Sequence, residues 1–343
     1  MNWAILLAGG SGTRFWPLST PHNPKQLLPL TGPTSTAEAA VERLEGLVDR
    51  DRILVVTGAG LAERLQERLG IPPQNMLVEP RAASTGPALI WATWVAAQRD
   101  PDAAVLSLHA DWSIGDAEAF RQTAATALRI ARDYQRLVTV GIVPSRPETG
   151  YGYIVPGAPL DTDARNVSRF SEKPDAATAL DLMAAGALWN SGLFAWTADR
   201  LLEEVRAHTP EIAPFLPALE ADDPPRFFRE LTPISIDVGL LERSSAVAVV
   251  RGDFAWDDVG TWEALGRVRP KDPAGNVVVG PAALYQAHDC IVWSETDTVV
   301  LGDVQDLIVV QAHGRILVMN RRRAADLKQL LDALPPTIRE LPE

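Results

Sequence analysis

Cysteine is almost absent from this chain: Cys290 is the only one in 343 residues. A single thiol excludes an internal disulfide and a multi-cysteine metal site, and it fits a reducing cytoplasm. Cys290 itself reads as a small apolar filler in a strand. Histidine is scarce too, with five in the chain, and no nucleophile–histidine–acid triad is evident. No segment reaches the ~18 uninterrupted apolar residues of a membrane span. The apolar run at 3–8 has no basic residue ahead of it and leads directly into glycines, so it reads as a buried strand and not as a secretory signal. Positive charge is in deficit, with 32 Lys and Arg against 44 Asp and Glu and a formal net charge of -12. That balance argues against a nucleic-acid partner. An acidic protein that binds polyanions must also gather its cations locally.

One such gathering is present near the start. Residues 7–14 read L-A-G-G-S-G-T-R, and P-K-Q-L-L follows at 24–28. Gly9, Gly10 and Gly12 let the backbone approach a polyphosphate and aim N–H groups at its oxygens. Ser11 and Thr13 add hydroxyl donors, and Arg14 and Lys25 bring positive charge to the carboxyl end of the strand. Two better-known glycine loops are excluded. No lysine follows Gly12 where a P-loop needs one, and Phe15 stands where the dinucleotide fingerprint needs glycine or alanine.

Strand-like and helix-like patterns alternate over the first half. Strands are expected at 53–57, 76–78, 103–108 and 137–142, and helices at 61–69, 86–98 and 117–134. The alternation predicts an α/β, Rossmann-like fold with a mostly parallel central sheet and helices on both faces. The stretch 150–250 is more mixed and reads as an insertion that completes the substrate pocket. From about 276, short apolar runs recur at 277–279, 291–293, 299–301, 307–310 and 316–319, and a helix is expected at 322–334. The expected organisation is a catalytic domain at 1–270 and a small C-terminal β-rich domain with a terminal helix at 271–343.

Several blocks occur in a fixed order: L-A-G-G-S-G-T-R-F-W-P-L at 7–18, P-K-Q-L-L at 24–28, E-P from Glu79, E-T-G-Y-G-Y-I at 148–154, F-S-E-K-P at 170–174, W-N-S-G-L-F at 189–194 and F-A-W-D-D-V-G-T-W at 254–262. On these the chain resembles the sugar-1-phosphate nucleotidyltransferases, and within them the mannose-1-phosphate guanylyltransferases. The resemblance covers residues 1–262, with a weaker match beyond, where relatives often carry a β-helix fragment; no clean hexapeptide repeat is visible here. It implies transfer of GMP from GTP to mannose 1-phosphate, giving GDP-mannose and pyrophosphate, with Mg²⁺ as cofactor and a homodimer as the expected assembly. Alternatives within reach are another sugar 1-phosphate, such as glucose or a heptose, and a catalytically silent relative that binds nucleotide sugar.

The resemblance also assigns residues. Arg14 and Lys25 match positions that contact the triphosphate, beside Leu7, Ala8, Gly9, Gly10, Ser11, Gly12 and Thr13. Asp111 and Asp258 match the metal positions. Asp257 competes with Asp258, and the spacing to Val259-Gly260 favours Asp258. Base recognition is expected at Glu79, Thr85 and Gly86; a carboxylate can accept from the N1–H and N2–H₂ of guanine, although Glu79 could equally end a strand or pair with Arg81. Gly150, Glu172, Lys173, Asn190 and Asp258 match the sugar-phosphate positions. Trp189, Trp256 and Trp262 read as packing aromatics. One departure stands out: the family usually has a histidine after the first metal aspartate, and this chain has Trp112, with His109 two positions before that aspartate.

Overall fold

The computed structural model describes residues 1–10, 13–21 and 23–340, the side chain of Thr13 excepted. The chain divides into two compact units, each discontinuous in sequence. The first comprises Met1–Gly9, Ala40–Ala110 and Asp116–Trp256; the second comprises Gly10–Ala39, Asp111–Gly115 and Asp257–Glu343.

The first unit is built on a nine-stranded sheet. From edge to edge its strands are Met76–Glu79, Ile53–Gly58, Asn2–Leu7, Ala104–His109, Leu188–Thr197, Leu137–Ile142, Val247–Gly252, Ala164–Ser171 and Tyr153–Pro159. Leu188–Thr197 and Ala164–Ser171 run against the others, which agree in direction. Asn2–Leu7 lies between Ile53–Gly58 and Ala104–His109, parallel to both. A strand buried on both faces should be apolar throughout rather than alternating, and W-A-I-L-L meets that demand, with residues 3–7 all buried.

Ala117–Tyr134 forms as an amphipathic helix. Phe120, Ala124, Ala127, Leu128 and Ala131 recur at helical spacing on its buried face. Asp116 caps it, accepting from the N–H groups of Glu118 and Ala119, and Gln135 ends it in the left-handed conformation. It packs on the strands Leu188–Thr197, Leu137–Ile142 and Val247–Gly252. The helix Thr85–Arg99 is buried along most of its length and packs on Asn2–Leu7 and on the helix Ala198–His208. Trp196, fully buried in this core, donates from Nε1 to Thr93 Oγ1 at 3.1 Å. Truncating it to alanine is worth about 3–5 kcal/mol on the usual scale for core aromatics. The stretch 150–250 is more than an insertion, because it supplies strands to the sheet itself, Ala164–Ser171 and Leu188–Thr197 among its interior ones.

The second unit holds a sheet of Val277–Val279, Ile291–Ser294, Leu307–Ala312 and Arg315–Asn320, and a pair formed by Ala282–His288 and Val299–Gln305. Successive strands stack in parallel in both sheets until Arg315–Asn320 closes the larger one antiparallel. Parallel stacking of two short sheets is the layout of a β-helix fragment. The helix expected at 322–334 is present as a 3₁₀ segment, Arg321–Asp326, followed by the α-helix Leu327–Ala333.

The expected boundary at 270/271 falls inside this unit, and its core shows why. Phe15, Trp16, Leu18, Leu28 and Leu30 share one buried cluster with Val259, Trp262 and Leu265 and with Val277, Ile291, Trp293, Ile308 and Leu317. Trp262 sits edge-on to Phe15 (5.2 Å between centroids) and to Trp293 (6.0 Å). Strands this short bury too little apolar surface alone, so the N-terminal segment is part of their core. No helix among the described residues is long and apolar enough to cross a membrane.

Candidate active site

The second unit gathers the residues matched to triphosphate and metal. Pro24, with its φ preset, opens the 3₁₀ turn Lys25–Leu27. That turn carries the Lys25 side chain inward until only 8 % of it is exposed. A buried ammonium requires paired acceptors, and Lys25 has them. Its Nζ donates to Asp111 Oδ2 at 3.0 Å and to the main-chain oxygen of Asp258 at 2.9 Å. It also lies 5.8 Å from the centre of the Phe15 ring. One cation therefore ties both metal candidates together. Arg14 is exposed, and its Nη1 lies 3.3 Å from the position a Cβ on Gly260 would take; Asp258 Oδ2 lies 2.8 Å from that same point.

The turn at 257–260 separates the roles of the paired aspartates. Asp257 grips Arg267 through two hydrogen bonds, Nε to Oδ2 at 2.7 Å and Nη2 to Oδ1 at 3.1 Å. Its Oδ1 also accepts from the Val259 N–H at 2.9 Å. Val259 is fully buried with φ at 45°, a left-handed conformation that is an outlier for a β-branched residue. The Asp258 carboxylate accepts from the Gly260 N–H at 3.2 Å. Asp257 is thus occupied in holding the turn.

Among the described residues, no group of three or more His, Cys, Asp and Glu has metal-cage geometry. The hard oxygen donors of Asp111 and Asp258 suit an ion that takes one or two carboxylates and keeps its other positions for phosphate and water. Gly10 is exposed with φ at 97°, a conformation that glycine adopts without strain. Ser11 and Gly12 lie outside the described residues. Trp112, in place of the usual histidine, is buried.

The first unit holds the remaining candidates. Leu7 and Ala8 are engaged by the sheet: the Leu7 oxygen accepts from the Ala110 N–H, Ala8 donates to the Val56 oxygen, and the Ala8 oxygen accepts from Thr57 Oγ1. Gly9 follows them at the exposed end. Glu79 closes the strand Met76–Glu79, and burial pushes its carboxyl up to about 7. The Arg81 guanidinium turns instead to the main-chain oxygens of Phe228 and Leu231, at 2.6 and 2.9 Å. Thr85 and Gly86 both face the segment at 234–236. Thr85 Oγ1 accepts from the Ile236 N–H at 3.1 Å, and the Gly86 N–H donates to the Ile234 oxygen at 3.1 Å.

Asn190, Glu172 and Lys173 come together in this unit. Lys173, exposed and left-handed with φ at 46°, reaches Glu172 Oε1 with its Nζ at 2.8 Å. Asn190 donates its N–H to the Gly152 oxygen at 2.8 Å. Gly152, and not Gly150, is the glycine under steric demand: a Cβ there would lie 2.5 Å from Glu172 Oε2 and 3.4 Å from Asn190 Cβ. Gly150 sits in an exposed turn where its N–H donates to Glu148 Oε1 at 3.1 Å. Trp189 and Trp256 pack edge-on against Tyr151 at 5.3 and 5.2 Å.

The sequence reading missed Asp237. It opens the π-helical turn Asp237–Leu241, and its Oδ1 accepts from Asn190 Nδ2 at 2.7 Å. Burial, and then the neighbouring Glu172 charge, push its carboxyl up to about 6 against the pull of the Asn190 hydrogen bond. The available signal was a lone acid within the apolar text I-S-I-D-V-G-L-L.

Comparison with known proteins gives consistent results. The nucleotidyl transferase family profile matches residues 3–274. The mannose-1-phosphate guanylyltransferase of Klebsiella pneumoniae is 35% identical over 349 residues, covering 96% of this chain and 73% of the relative. The mannose-1-phosphate guanylyltransferase ManC of Salmonella typhimurium is 36% identical, covering 97% and 73%. A crystal structure from Thermus thermophilus, described as a mannose-1-phosphate geranyltransferase, superposes with a TM-score of 0.89 at 35% identity, covering 96% of this chain and 98% of that one.

Proposed function

The chain belongs to the nucleotidyl transferase family, among the mannose-1-phosphate guanylyltransferases, and from that premise we propose that it transfers GMP from GTP to mannose 1-phosphate, giving GDP-mannose and pyrophosphate. The observation that carries the reading is the Lys25 ammonium joining the Asp111 carboxylate to the Asp258 turn. An oxygen of the sugar phosphate attacks the α-phosphorus, the bond to the β-phosphate breaks, and pyrophosphate leaves. The attacking oxygen is already anionic at neutral pH, so no general base is needed. What remains is positioning and charge neutralisation.

Lys25 and Arg14 contact the triphosphate, one as a point charge and the other as a fork. Asp111 and Asp258 hold Mg²⁺, which when bound neutralises phosphate charge and polarises the α-phosphoryl group. Glu79 accepts from guanine; its place at the end of its strand and the direction of the Arg81 guanidinium to main-chain oxygens are both compatible with that role. Glu172 and Asn190 take sugar hydroxyls, and Lys173 faces the sugar phosphate. The single thiol, Cys290, is buried and fits a reducing cytoplasm. Tyr285, Val300 and Ile316 are 70 %, 72 % and 71 % exposed on the second unit, and they support a homodimer; a light-scattering mass of one chain at micromolar concentration would remove that assignment.

A pyrophosphate-release screen of four nucleoside triphosphates against several hexose 1-phosphates tests the activity. The highest kcat/KM is expected with GTP and mannose 1-phosphate. Better turnover with UTP or dTTP overturns the guanylyl assignment. Preference for glucose 1-phosphate keeps the reaction and overturns the sugar.

A further inference from the structure

Asp237 has no part in the roles assigned above, yet its surroundings are built around it. Asn190 presents it with a defined end of its amide. The Asn190 Oδ1 accepts from Thr139 Oγ1 at 2.9 Å and from the Gly192 N–H at 3.3 Å, so the Nδ2 end is the one turned to Asp237. The backbone that carries Asp237 is held on both sides. Thr85 and Gly86 hold the main chain at Ile236 and Ile234, and Thr209 Oγ1 donates to the Gly239 oxygen at 2.9 Å. Such support fixes a ligand group to the precision that recognition needs.

The chemistry of the group is unusual for a structural role. An ionised carboxylate offers about four acceptor sites. Asp237 receives Asn190 Nδ2 and its own N–H, while Glu172 brings a like charge close by. Asp237 is half-buried, so its open acceptor sites remain within reach of a donor from outside the protein, which completes the set. Glu204, a buried carboxylate in the same unit, shows the structural alternative: Arg200, Ser244 and His208 all reach it. Asp237 instead takes the Asn190 amide and has the Glu172 charge as a neighbour, and Gly152 leaves room for the Glu172 carboxylate where a side chain would collide with it. Acceptors at Asp237 and Glu172 and a donor at Asn190 suit neighbouring hydroxyls on a sugar ring, each of which both donates and accepts.

We propose that Asp237 is a specificity-determining sugar ligand, which accepts one ring hydroxyl of the hexose 1-phosphate while Glu172 and Asn190 hold its neighbours. The inference rests on the transferase reading given above. It also gives Thr85 and Gly86 a second duty, as supports of the segment that carries this carboxylate.

The test compares wild type with Asp237→Asn in full-length protein. Pyrophosphate release is measured at saturating GTP with mannose 1-phosphate and its 2-, 3-, 4- and 6-deoxy analogues. The variant is expected to raise KM for mannose 1-phosphate by at least ~10-fold, on the scale of one lost hydrogen bond to a charged group, with KM for GTP unchanged. For one deoxy analogue the two proteins should have equal kcat/KM, because that analogue lacks the hydroxyl Asp237 holds. An unchanged KM for the sugar phosphate overturns the inference. So does a loss of equal size across every analogue, or a parallel rise in KM for GTP, which marks a merely structural role. Calorimetric titration with mannose 1-phosphate separates this inference from the activity it rests on. A wild type that binds the sugar phosphate without turnover defeats the activity alone, and weaker binding by Asp237→Asn then still supports the ligand. A wild type that neither binds nor turns over defeats both.

Discussion

Replacing Asp257 with alanine should damage stability and activity together, unlike replacing Asp258. The Asp257 side chain is 9 % exposed and its partner Arg267 30 %. A fully buried pair loses about 3–5 kcal/mol when one partner is removed. Arg267 can regain water, so the loss here is about 2 kcal/mol. The buried Val259 N–H also loses its acceptor, which adds about 1–3 kcal/mol. Against that, Val259 is freed from a left-handed conformation worth about 1–2 kcal/mol. The balance is a destabilisation on the order of 1–4 kcal/mol. Relaxation of the turn moves the Asp258 oxygen that receives Lys25, and a misplacement of about 1 Å can lower kcat/KM roughly 100-fold. Thermal unfolding and pyrophosphate release on Asp257→Ala, Asp257→Asn and Asp258→Asn make the assay. Asp257→Asn keeps an acceptor for Val259 and should fall between wild type and Asp257→Ala in both readings. Asp258→Asn should unfold near the wild-type temperature while losing activity. The reasoning fails if Asp257→Ala is as stable and as active as wild type. If Asp257→Asn is inactive at full stability, Asp257 is the metal ligand and Asp258 is not.

Asp111→Asn and Asp258→Asn should each lower kcat by about 10²–10³, the scale of a lost preorganised electrostatic contact; chelation by EDTA should abolish activity, and Mg²⁺ should restore it. Retained activity in either variant at limiting Mg²⁺ would exclude that residue as a ligand. Glu79, pushed up to about 7, should make KM for GTP fall as pH rises from about 6 to about 8, because the ionised form accepts from guanine; Glu79→Gln should flatten that profile. Its raised value also means that folding disfavours the charged form, so the stability deficit is absent below about pH 4.5, grows through the window up to 7 and is complete above it. The melting temperature of Glu79→Gln relative to wild type should therefore rise across that window. Gly152→Ala sets a methyl against Glu172 Oε2 and should raise KM for the sugar phosphate while leaving KM for GTP in place, with about 1–3 kcal/mol of overpacking read by thermal unfolding.

Elements with strong local pattern were legible in the sequence. The helix expected at 117–134 is Ala117–Tyr134, and the strand expected at 137–142 is Leu137–Ile142. Local pattern could not reveal that Leu188–Thr197 lies reversed between Ala104–His109 and Leu137–Ile142, because that pairing joins residues far apart in sequence. The strand Ala282–His288 was missed because A-A-L-Y-Q-A-H buries little beyond Ala287 and so lacks a core-facing stripe. In the candidate site, Lys25 and Asp111 were visible as motif members and do meet. Gly152 was not visible as a constrained position in E-T-G-Y-G-Y, because the demand on it depends on where Glu172 lies. Asp237 carries no motif of its own; only its hydrogen bond to Asn190 marks it.

The makeup of the second unit has a consequence for how this protein is made. Phe15, Trp16, Leu18, Leu28 and Leu30 leave the ribosome early, while Trp262, Ile291 and Ile308, which share their core, follow more than about 200 residues later. At ordinary synthesis rates the interval is on the order of 10–40 s, during which a cluster of large apolar side chains has none of its native cover. Chaperone dependence and aggregation in the nascent chain should therefore concentrate at residues 15–30. Substitutions that weaken the distant strands, such as Ile308→Ala, should show first as reduced soluble yield, with the surviving enzyme turning over at nearly the wild-type rate.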